Sequence, residues 1–156
     1  MNSRSSERTL AGLQTGMAGA LVMLAWMAIS MLWTRHSVWW FPNLMATTFG
    51  GDPALHTGFG KYSAAGLALH LLIYSGLGVV FAFLVPDRAT HGRLLLSGVL
   101  LALAFYFFMY GFFWKHVNPL IPLYSPDRQL LVAHVFYGMM LSRYSRYAQS
   151  AGWARQ

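Results

Sequence analysis

The sequence predicts an all-α integral membrane four-helix bundle, and three observations point there. First, residues 9–34, 62–86 and 94–114 are long apolar runs without a single Asp, Glu, Lys or Arg, and a shorter run follows at 129–142. Second, hydrophobic residues make up 56% and charged residues 10% of the 156, too little charge to cover the surface of a water-soluble domain. Third, the runs are bounded by basic and aromatic residues, the flanks that membrane–water interfaces favour. At a rise of about 1.5 Å per residue, each of the three long runs crosses a hydrocarbon layer of about 30 Å. Most of the chain lies in these runs, so one membrane domain over 1–156 is expected.

The first span is placed at 10–33. A basic leader precedes it, as in a signal peptide, but the run is longer than the roughly 7–15 residues of a signal core, and Trp33-Thr34-Arg35 is no cleavage site. It is read as a retained span. Its first half is rich in small residues, and Gly12, Gly16 and Gly19 lie nearly on one face, which lets a second helix approach closely. A partner subunit is the expected occupant of that face.

Residues 35–61 form the longest connection. Trp39, Trp40 and Phe41 open an apolar stretch interrupted by Pro42, and Gly50-Gly51-Asp52-Pro53 signals a turn. Trp rings favour the headgroup layer, so a short helix lying in the membrane plane is expected here. The same aromatics would also serve as anchors for a partner.

The second span is placed at 62–85 and the third at 94–114, joined by a short link that favours antiparallel neighbours. The fourth, 127–145, contains only 14 residues between Arg128 and Arg143. Snorkelling of the two arginines and interfacial Tyr124, Tyr144 and Tyr147 make a crossing feasible, with a re-entrant segment as the alternative.

Basic residues set the orientation. Arg4, Arg8, Arg88, Arg93, Arg143, Arg146 and Arg155 share one side; Arg35, Lys61, Lys115 and Arg128 share the other. The excess places both termini in the cytoplasm and the aromatic connection outside. The net charge of +7 is read as this flanking pattern facing anionic lipid, not as a nucleic-acid surface. A loose internal echo is also present: each half runs span, Asn/Pro-containing connection, span with an interior histidine.

Those histidines, His70 and His134, are the residues most able to carry chemistry, since an ionisable side chain inside a span marks function by default. Both spans run in the same direction, and the depths of the two rings differ by about 5 Å. Ser63, Gly66 and Tyr74 share the face of His70; Tyr137 and Gly138 share that of His134. The preferred reading is a hydrogen-bonded tie between helices and no resident cofactor. The alternative is a b-type haem held by His70 and His134, lined by Phe105 to Phe108, Tyr110, Phe112 and Phe113; contact with another cofactor such as a quinone is a further option.

Other chemistry lacks its residues. Cysteine is absent, so thiolate, disulfide and Cys-based metal chemistry are excluded within the chain. His36, His56, His91 and His116 form no H-x-x-x-H or H-E-x-x-H pair. The apolar runs 9–34, 62–86, 94–114 and 129–142 contain no carboxylate, which argues against a proton-coupled carrier. No G-x-S-x-G elbow or phosphate-binding glycine motif is present.

The stretch Trp40-Phe41-Pro42-Asn43-Leu44-Met45-Ala46, a Gly-rich turn, and then Gly66 through His70 to Tyr74-Ser75-Gly76 resembles uncharacterised four-span bacterial inner-membrane proteins. The resemblance covers about half of the chain. It implies location and span count, and carries no activity. The expectation is a small non-enzymatic multi-pass protein of a bacterial inner membrane. It would contact lipid and either other membrane subunits or further copies of itself, without nucleic acid, as an accessory or structural subunit. A small-solute carrier acting as an oligomer is the remaining alternative.

Overall fold

The computed structural model describes residues 3–86 and 89–150. Among them the chain is all-helical, without a strand. The elements are α1 (Ser3–Trp33), α2 (Trp40–Gly50), α3 (Lys61–Leu84), α4 (His91–Val117), α5 (Leu120–Tyr124), α6 (Asp127–Leu141) and α7 (Tyr144–Ser150). Three of them, α1, α3 and α4, are long and apolar enough to cross a membrane. Arg88 and Arg155, which enter the charge pattern above, lie outside the described residues.

The helices pack as two antiparallel pairs, and glycine makes each pair close. In the first pair, a Cβ on Gly12 would meet the Gly78 carbonyl at 2.8 Å, and one on Gly16 would meet Ser75 Cα at 2.9 Å. In the second, α4 and α6 meet at Gly98 and Gly138, where a Cβ on Gly138 would lie 2.5 Å from Val99 Cα. Backbones this near gain dispersion contact that larger side chains would prevent. Gly19 faces α6, where the Tyr137 ring leaves no room for a side chain (2.6 Å to a built Cβ). The small-residue face of α1, expected to receive a partner, is therefore filled by this chain's own α3 and α6.

α4 is not uniform. Met109–Phe113 forms a π-helical turn, which re-aims the aromatic run. Phe107, Phe108 and Phe112 point outward, whereas Tyr106 and Tyr110 are buried. The expected aromatic lining thus divides between a lipid-facing and a core-facing set.

The long connection departs furthest from expectation. α2 is a helix, with Pro42 in its first turn where a missing N–H costs nothing. Yet every residue from Phe41 to Thr47 is buried, so it does not lie on the membrane surface but packs into the bundle against α3. The contact hinges on Gly66, where a Cβ would run into the Pro42 carbonyl. Phe41, expected as an anchor for a partner, is 1% exposed and packs edge-on against the His70 ring. Trp39 and Trp40 are half-buried at the start of the same helix.

Asparagines lock the connections. The Asn43 amide donates to the Thr57 carbonyl at 2.7 Å and its oxygen accepts from the Ser63 hydroxyl at 2.7 Å. Asn118, before α5, donates to the Thr47 hydroxyl at 2.7 Å and so ties the second connection to the first. The Trp26 indole donates to the Gln129 carbonyl at 2.9 Å, fixing the start of α6 on α1.

Candidate functional site: a buried histidine–tyrosine cluster

Where α1, α3, α4 and α6 meet, the core is polar. His70, Tyr74, His134 and Tyr137 are all buried, at 3% exposure or less. The local spacing explains the convergence. Ser63, Gly66, His70 and Tyr74 recur at three- and four-residue intervals on α3 and form its buried stripe, as do Leu130, His134, Tyr137 and Leu141 on α6.

The hydrogen bonds fix which nitrogen of each ring carries the hydrogen. His134 Nδ1 lies 2.7 Å from the Leu130 carbonyl, which can only accept, so Nδ1 bears the hydrogen. Its Nε2 then accepts from the Tyr74 hydroxyl at 2.8 Å. His70 has the opposite tautomer: Nε2 donates to the Ala20 carbonyl of α1 at 3.2 Å. Tyr137 donates to the Tyr74 carbonyl at 2.6 Å. Side chains thus reach from α3 to α1, from α3 to α6 and from α6 back to α3.

Aromatic rings close the space around these bonds. The Tyr74 ring packs on both imidazoles, with centroids 4.5 Å from His70 and 5.6 Å from His134. Tyr106 of α4 lies edge-on to His134 at 5.0 Å, and Tyr110 does so at 6.0 Å.

This arrangement does not fit a haem. Bis-imidazole ligation requires a nitrogen from each ring facing an open slot that admits the macrocycle. Both nitrogens of His134 are engaged, and the Tyr74 phenol fills the ground between the two rings. Among the polar atoms of His70, Tyr74, His134 and Tyr137, Nδ1 of His70, a single acceptor, is left without a hydrogen-bond partner, as is the buried hydroxyl of the adjoining Ser75. No cluster of three or more His, Asp or Glu suited to a metal ion occurs among the described residues.

Sequence reasoning brought His70, Tyr74, His134 and Tyr137 forward together, and the structure does bring them together. It missed that Tyr74 connects the two histidines. The signal was present: Tyr74 stands four residues after His70, one helical turn further along the same face. It also missed Asn43 and Asn118, polar residues in apolar connections that must find partners when buried.

Comparison with protein-family models, with curated proteins and with solved structures finds no match.

Proposed function

We propose that this chain is a non-enzymatic four-span protein of a bacterial inner membrane, with cytoplasmic termini, acting as an accessory or structural subunit of a larger membrane assembly. The observation that carries this reading is the engagement of Tyr74, His134 and Tyr137 inside the chain. Tyr74, His134 and Tyr137 bond to one another and to backbone carbonyls, leaving no open polar pocket at the cluster for a substrate. Interhelical hydrogen bonds of this kind serve as ties worth about 0.6–2 kcal/mol each.

The orientation follows the basic-residue excess on the side of the N-terminus. α6 supplies the fourth crossing: it runs parallel to α3, pairs with α4, and its apolar run lies between Arg128 and Arg143, both able to snorkel. With the glycines of α1 occupied, the close-packing face left for a partner lies on α3. There Ala64, Ala68 and Gly76 are exposed, and nothing stands within 4 Å of a Cβ on Gly76.

Native mass spectrometry of the protein taken from its own membrane at natural abundance tests the proposal. The expected result is a stoichiometric complex with another membrane protein, dissociated by Gly76→Leu while the chain stays folded. A lone chain, or a protein carrying a Soret band, overturns the proposal.

A further inference from the structure

α6 has 15 residues, so it is about 22 Å long, shorter than a hydrocarbon layer of about 30 Å. Its neighbours α1 and α4 are 31 and 27 residues long. A short helix between two longer ones leaves a groove over its outward stripe. That groove is open along one side and has a volume of about 310 Å³. Its floor is Phe136, Met139 and Met140 of α6, and its walls are Val22 of α1 with Leu95 of α4.

The two ends of the groove differ in chemistry. At one end stand Arg143 and His91, both exposed. At the other, Phe136 is braced edge-on by Trp26, with ring centroids 5.2 Å apart. Among the described residues no acidic side chain lines it. Asp52 and Asp127 lie at the opposite end of the bundle, in the first connection and at the start of α6.

We infer that this groove holds one anionic phospholipid, its phosphate on Arg143 beside His91 and an acyl chain running over Leu95, Met139 and Phe136. Charge complementarity selects the headgroup: a guanidinium bonds phosphate through two parallel N–H groups. The basic excess on this side is where anionic lipid gathers.

The test titrates the purified full chain in mild nonionic detergent with phosphatidylglycerol and, separately, with phosphatidylcholine of the same acyl chains, counting adducts by native mass spectrometry. One phosphatidylglycerol adduct is expected at a roughly tenfold lower concentration than phosphatidylcholine requires, one charge-assisted contact being sufficient for that ratio. Arg143→Gln is expected to erase the preference. Leu95→Trp, filling the groove below the charge, is expected to weaken both lipids, and Arg93→Gln, an exposed cation outside the lining, to change neither. Circular dichroism verifies the fold of each variant, and Met139→Trp narrows the same groove from α6 if Leu95→Trp loses helicity. Equal binding of the two lipids, a preference that survives Arg143→Gln, or an adduct indifferent to filling the groove overturns the inference.

Discussion

The Tyr74 hydroxyl donates to Nε2 of His134 over 2.8 Å, joining α3 to α6 in the centre of the bundle. The bond is possible only because the Leu130 carbonyl holds the hydrogen of His134 on the other nitrogen. Each imidazole is thus oriented by a backbone carbonyl, from α1 for His70 and from its own helix for His134.

Tyr74→Phe strands the His134 acceptor in a buried site and removes its tie to α3. A loss of about 1–2 kcal/mol is expected. Tyr137→Phe is expected to cost less, because the Tyr74 carbonyl keeps its place in the α3 backbone ladder. Unfolding of the two variants in mixed micelles by graded denaturing detergent gives the comparison. Equal losses, or the reverse order, would contradict the hydrogen-bond assignment.

Gly66→Ala forces a methyl group against the Pro42 carbonyl, and neither backbone can yield without moving a helix. Destabilisation of about 2 kcal/mol or more is expected, in the range of overpacked cores. Gly76→Ala is the contrasting variant. It sits mid-helix with open space around it, and is expected to gain about 0.5–1 kcal/mol from helix propensity. The thermal midpoints of the two should move in opposite directions.

Asn118→Leu breaks the donation to Thr47 that joins the two connections. Hydrogen exchange should accelerate throughout α2, while the centre of α1 keeps its protection. Unchanged exchange in α2 would mean that the asparagine is not what holds it down.

α1 ends in a Schellman arrangement: the His36 N–H bonds the Met31 carbonyl at 2.9 Å and the Arg35 N–H bonds that of Leu32 at 3.2 Å. Arg35 adopts φ +60° there, a conformation that costs an L side chain about 1 kcal/mol. Arg35→Gly is expected to raise stability by about 0.5–1 kcal/mol, measured in the same unfolding assay.

The long helices were legible because charge-free length is a direct physical requirement of lipid, and the placing of His70 and His134 in one region of the bundle followed from depths that differ by only about 5 Å. Local periodicity placed Tyr74 beside His70, but nothing local says that its hydroxyl reaches another helix. α2 was misplaced because burial and interfacial residence both favour Trp, Phe and Leu; what decides between them is Gly66, far along the chain, which makes room for the Pro42 carbonyl. The glycines of α1 were read correctly as a contact face and incorrectly as a free one. A small-residue stripe records that a backbone comes close, not whose backbone it is.

The most direct measurement of whether the two intramembrane histidines are structural donors tied to carbonyls is ¹⁵N NMR of their imidazoles in the micelle-embedded protein, assigned with His70→Gln and His134→Gln. Opposite tautomers are expected, with the hydrogen on Nε2 in His70 and on Nδ1 in His134. The same tautomer at both positions, or resonances displaced by a bound iron, would contradict the account.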